Sequence, residues 1–186
     1  MKPLPDSRRP NLPPPAGSQR GATLLELVMV ILIVGILAAA GSIMLVKGVE
    51  AYSVTEESID TLSKLRYATE RAAREMREVR RNPATPTDYD IATRTAGTFR
   101  FTKTDGTTVT LTASPPLLTV AYSSPAVTAT LTDQVSSAAF SYFQADGTTA
   151  ATGNADIAFA ELNLTLTSAL GGNYSQRTRV ALRNRQ

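Results

Sequence analysis

The chain contains no cysteine, no histidine and no tryptophan in 186 residues. Without cysteine no disulfide can staple a fold, so stability must come from packing. Without histidine or cysteine, imidazole and thiolate metal sites are excluded, as is every Ser-His or Cys-His nucleophile; only carboxylate, lysine or tyrosine chemistry is left. The carboxylates Asp88, Asp90, Asp105, Asp133, Asp146, Asp156 and Glu161 are scattered, at spacings that make neither a calcium loop nor a paired-acid site. No metal, cofactor or catalytic residue is therefore expected. Aromatic residues make up only 6% of the chain, so a soluble core has to be built mainly from Val, Leu, Ile and Ala. The length leaves room for one modest domain, of about 100 to 150 residues, beside any membrane segment.

Long apolar runs are equally scarce. There is one, residues 27–46, which carries no charged residue and as a helix spans about 30 Å, the hydrocarbon thickness of a bilayer. Gly35 and Gly41 within it, and Gly48 just after it, either let helices in lipid approach closely or mark places where the helix stretches or bends during assembly. Directly before the run stands Arg20-Gly21-Ala22-Thr23-Leu24-Leu25-Glu26-Leu27. An ionised carboxylate costs roughly 2.5 to 3.5 kcal/mol at mid-helix in hydrocarbon and less near an end, so Glu26 either sits hydrated among headgroups or needs a partner. Basic residues ahead of the run place the N-terminus in the cytoplasm.

This wording resembles the cleavage site of type IV prepilins and pseudopilins, in which a basic leader ending in glycine precedes an apolar run with glutamate as its fifth residue. Gly21 matches the end of the leader and Glu26 the glutamate; Gly35 and Ala38-Ala39-Ala40-Gly41 are also similar to that family. The resemblance implies cleavage between Gly21 and Ala22 by a prepilin peptidase, N-methylation of Ala22, and assembly into a filament through Glu26. It also implies an inner-membrane protein with a periplasmic head, whose partners are other pilin or pseudopilin subunits, the peptidase and the assembly platform. Ala22 stands where the family usually has phenylalanine, and Ile43 where most major pilins have proline, which points to a minor subunit. The stretch 67–81, with Glu70-Arg71-Ala72-Ala73-Arg74-Glu75-Met76, is similar to minor pilins of the mannose-sensitive haemagglutinin type and to tip pseudopilins of type II secretion.

Dividing the chain at Gly21 changes the meaning of its charge. Residues 1–21 hold Lys2, Arg8, Arg9 and Arg20 against Asp6, which accounts for the whole net charge of +3. The remainder is neutral, which removes the simplest case for nucleic-acid binding. The same stretch carries prolines at 3, 5, 10, 13, 14 and 15, so no helix is expected there.

Beyond Lys47 the pattern becomes amphipathic, with Tyr52, Ile59, Leu62, Leu65, Thr69, Ala72, Met76 and Val79 mostly three or four apart: one helical stripe. The charged residues, Glu75 among them, are expected on the other faces, with Asp60–Lys64, Glu70–Arg74 and Arg71–Glu75 as supporting pairs. Arg80 and Arg81 suit the negative end of the helix dipole, and Asn82-Pro83 is the predicted stop.

From Thr98 onward short alternating runs rich in Thr, Ser, Ala and Val are separated by Gly, Pro, Asp and Asn, which predicts antiparallel strands at 98–103, 108–112, 117–122, 127–132, 138–144, 157–167 and 176–182. Asp105-Gly106 is the clearest hairpin turn. A two-residue loop would set Phe101 opposite Thr110, and a three-residue loop, 105–107, opposite Leu111; the second collects the apolar residues on one face. Residues 146–154 and 170–173 read as surface loops. Strands this polar need the helical stripe as cover, giving an α+β, pilin-like fold: leader 1–21, transmembrane and assembly helix 22–46, amphipathic helix 47–82 and β-rich head 83–186.

Two basic groups invite a partner. The group of Arg71, Arg74, Arg77, Arg80 and Arg81 is interleaved with acids and lacks aromatic residues to stack on bases, so it reads as a salt-bridged helix surface. Arg177, Arg179, Arg183 and Arg185 alternate, with Val180 and Leu182 pointing the other way, as on an edge strand with a basic outer face. Tyr52, Tyr67, Tyr122 and Tyr142 are expected at the core edge. The function expected is that of a minor type IV pilin or pseudopilin, a noncatalytic filament subunit of a pilus, type II secretion or DNA-uptake machine. The alternatives are a monomeric membrane-anchored protein whose head captures DNA or a surface ligand, and a membrane-anchored hydrolase.

Overall fold

The computed structural model describes residues 23–182. Gly21 and Ala22 lie outside the described residues, as do residues 1–20 and, at the other end, Arg183 and Arg185. Thr23 starts the helix: its Oγ1 accepts the Glu26 N–H at 3.3 Å and its carbonyl accepts the Leu27 N–H at 3.2 Å, the work of an N-cap residue. Helix α1 then runs over Leu24–Met76, 53 residues. The chain divides into two units, Met1–Gly48 and Val49–Gln186. In the first, the helix is the one described element, and its large apolar side chains, including Leu24, Ile33, Leu37 and Met44, are exposed.

In the second unit the rest of α1 is joined by two antiparallel meanders. The larger has the order β1 (Ile91–Arg94), β2 (Thr98–Thr102), β3 (Thr108–Ser114), β4 (Leu117–Ser123), β5 (Ala126–Thr132); the smaller is β6 (Val135–Phe143), β7 (Phe159–Thr167), β8 (Asn173–Ala181). The fold is α+β, a long N-terminal helix packed on antiparallel sheets. Seven of the eight strands lie where alternation put them, within three residues at each end. The extra one, β1, has four residues and a register shift between Ile91 and Thr93, too short to show alternation.

One core draws on every layer. Leu65, Ala68, Ala72 and Met76 of the helix are buried with Phe99 and Phe101 of β2, Val109 and Leu111 of β3, Leu118 and Val120 of β4, Phe140 of β6, Leu162, Leu164 and Leu166 of β7 and Val180 of β8. Each large side chain so buried contributes roughly 1.5 to 3 kcal/mol.

Several expectations need correction. The helix stops at Met76, five residues before Arg81. Glu78 N–H bonds the Glu75 carbonyl at 3.1 Å, and beyond it the backbone pairs with the sheet instead: Arg80 N–H to the Thr102 carbonyl at 3.0 Å, Thr104 N–H to the Glu78 carbonyl at 3.2 Å. These pairings, with Val79 only 3% exposed, override helical propensity. The predicted stripe is buried only from Leu65 onward, with Tyr52, Ile59 and Leu62 exposed; Tyr67 is exposed too, so neither it nor Tyr52 is a core-edge residue. Glu75 is buried rather than on a solvent face. Asp60–Lys64 and Arg71–Glu75 form at 2.9 Å each, but Glu70 pairs with Arg66 at 2.7 Å and not with Arg74.

At the β2–β3 hairpin Phe101 faces Val109 and Phe99 faces Leu111, neither of the registers weighed. Lys103 N–H bonds the Thr107 carbonyl at 2.9 Å and Gly106 N–H the Lys103 carbonyl at 3.0 Å. The loop has three residues, as expected, but they are Thr104, Asp105 and Gly106: glycine, at φ +86°, takes the last loop position, where a bulge needs a left-handed residue. A shift of two residues preserves the side-chain parity, so the same apolar face is buried.

Candidate functional site

Glu26 lies in the first turn of α1, three residues after its cap, in the Thr-x-x-Glu order of a capping box. The positive end of the helix dipole favours a carboxylate there. Among the described residues its carboxylate makes no hydrogen bond or ion pair. Around it Leu24, Leu25, Leu27 and Met29 all present their side chains outward. The helix is long and apolar enough, near the N-terminus, to cross a membrane. Its one hydroxyl in the apolar stretch, Ser42, donates to the Ala39 carbonyl at 2.9 Å and so brings no unsatisfied polar group into lipid.

Residues 17–42 match the prokaryotic N-terminal methylation motif, the signature of type IV prepilins. The N-terminal segment of the chain carries the type IV pilin-like signature. The motif spans the junction 21/22, Glu26 and most of the apolar run. No curated protein matches the chain.

In the β-rich head the charged groups are mostly consumed by structure. Glu75, 2% exposed, accepts from the Tyr122 hydroxyl at 2.9 Å and pairs with Arg71 at 2.9 Å and Lys103 at 3.3 Å. Burial pulls the Lys103 ammonium down, but its carboxylate partners Glu78 and Glu75 outweigh that and raise it. This group ties the helix end to β4 and to the β2–β3 hairpin. The sequence carried its signal, since Glu75 follows Ala72 by three and Ala68 by seven and so shares the stripe's phase.

The two basic groups separate. Arg71 is used at Glu75, Arg80 pairs with Asp90 at 2.8 Å, and Arg81 stacks 4.1 Å above the Tyr89 ring. Arg74 and Arg77 are exposed and make no hydrogen bond or ion pair among the described residues. On β8, Arg177 and Arg179 both reach Glu161 Oε2 at 2.8 Å, so the expected basic face is partly neutralised. β8 is an edge strand, as predicted, with Val180 and Leu182 buried on the other side. Among the described residues no three potential metal-ligating side chains converge. The loops predicted at 146–154 and 170–173 are at the surface, with Asp146 accepting from the Thr148 and Thr149 amides at 3.0 and 2.9 Å; those bonds and the Thr149 hydroxyl hold its carboxyl far below the usual range.

Proposed function

We propose that the chain is a minor pilin or pseudopilin, a noncatalytic subunit that is cleaved after Gly21, N-methylated on Ala22 and built through α1 into a pilus or a pilus-like secretion or uptake machine. The observation that carries this is Glu26, an acid with no partner among the described residues, at the start of an exposed apolar helix and inside the prepilin signature. After cleavage a new ammonium on Ala22 stands four residues away in sequence. A neighbouring subunit offers the same group. A carboxylate and an ammonium attract strongly in low dielectric, and either left alone there is penalised, so the pairing sets the axial register of an incoming subunit.

Before assembly the subunit sits in the inner membrane with its N-terminus in the cytoplasm and its head outside, in contact with the prepilin peptidase and the assembly platform. The test is coexpression with a prepilin peptidase followed by N-terminal sequencing. A mature chain that begins at Ala22, with a methylated amino group, is expected; a functional chain that still begins at Met1 overturns the reading.

A further inference from the structure

Strand β8 is the least guarded edge of the head. Sheet edges are normally blunted by shortness, bulges, proline, charged side chains or covering segments, and of these β8 has only the charges of Arg177 and Arg179. β1 has four residues and a register shift, the β4–β5 and β6–β7 ladders each contain a shift, and β6 is partly covered by the Val135 N–H to Pro116 and Phe140 N–H to Ala96 bonds. β8 runs nine residues with unbroken register against β7 and has no proline. In an antiparallel pair, alternate residues bond to the partner strand. Ser168 N–H to the Gly172 carbonyl and Leu182 N–H to the Ala158 carbonyl fix the even-numbered residues as those facing β7. The N–H and C=O groups of Ser175, Arg177 and Arg179 therefore point away from the sheet.

The charges beside this edge select what can add to it. On the helix side, a groove of about 290 Å³ is lined by Gln176 and Thr178 of β8 and by Ala73, Arg74, Arg77 and Glu70 of α1. Glu70 is already taken by Arg66, whereas both guanidiniums in the groove are unpartnered among the described residues. On the outer face Arg177 and Arg179 share the single carboxylate of Glu161, leaving one positive charge over. An added strand would thus meet positive charge on both of its faces, with main-chain bonds giving affinity and alternate side chains giving selectivity.

We infer that β8 is a docking edge for an extended acidic segment of a partner protein, which adds as a fourth strand and places alternate carboxylates against Arg74 and Arg77. The probe is an eight-residue peptide alternating threonine and glutamate, end-blocked and fluorescent, titrated into the full chain in detergent micelles. Binding is expected, together with slowed amide exchange at Ser175, Arg177 and Arg179. A lysine-for-glutamate peptide, and an acidic peptide with proline at alternate positions, should not bind. Arg74→Glu/Arg77→Glu should weaken binding by about tenfold or more, and Ser175→Pro, which removes one outward N–H, should weaken it as well. Arg74→Gln/Arg77→Gln serves if the reversed pair alters the melting curve. The inference is overturned by equal binding of the proline peptide, by unchanged affinity in the arginine variants, or by no binding of the acidic peptide. Protection of β8 that rises with protein concentration without peptide would also overturn it, because a second copy would then occupy the edge.

Discussion

Glu161 on β7 lies directly opposite Arg179 on β8, with Arg179 Nε 2.8 Å from its Oε2, and Arg177 closes on the same oxygen. Burial pushes the Glu161 carboxyl up, but the hydrogen bonds from Arg179 and Arg177 together outweigh it and hold the group below the usual carboxylate range. Its contribution is present above the unfolded-state pKa of about 4.3 and is lost as pH falls through the lower folded value. Melting curves from pH 7 to pH 2 should show that acid loss. Glu161→Gln should flatten it; an unchanged acid limb in the variant would assign the loss to other carboxylates.

Glu75→Ala leaves Lys103 with Glu78 as its one carboxylate partner and removes the acceptor of the Tyr122 hydroxyl and the ion-pair partner of Arg71 at a nearly closed site. Removing one member of such a buried group costs about 3 kcal/mol or more. Urea melts of the variant should show this as a lower midpoint with a similar slope, and Lys103→Met in the same background should restore part of it.

Gly106 has open space where a side chain would go, and its φ of +86° is the obstacle. Gly106→Val should therefore cost about 1 to 2 kcal/mol through backbone strain alone, whereas Gly106→Asn should cost less. Equal stability of all three would show that the β2–β3 loop rearranges freely.

On the proposed assembly mechanism, Glu26→Gln and Glu26→Val are cleaved and inserted like the parent but do not enter filaments. Immunoblots of sheared filaments against the membrane fraction separate the two steps. Normal incorporation of both variants would remove the Ala22 ammonium as the partner of Glu26.

Much of this architecture was legible because periodicity reports burial. Alternation found every strand with at least seven residues and one of five, and it assigned Phe99, Phe101, Val109 and Leu111 to one face even though the hairpin register was off by two. It could not find β1, whose four residues contain a register shift. The helix end was misplaced because residues 78–81 find their hydrogen-bond partners in strands that no local pattern reveals. Glu75 was assigned to a solvent face from its charge, although its phase put it among buried positions; donation to its carboxylate by Arg71, Lys103 and Tyr122 makes that burial tolerable. At the N-terminus the acid, Glu26, was plain in the sequence, whereas the cap, Thr23, was not singled out although it lies inside the same signature.

The ring of Phe99 sits 4.8 Å from Phe101 in its own strand, and 6.1 and 5.2 Å from Phe140 and Tyr142 of the other sheet. Neither meander can part from its neighbour without uncovering that aromatic group. The head is thus built to melt in one step, and a local injury to either sheet is felt as a loss of stability in both.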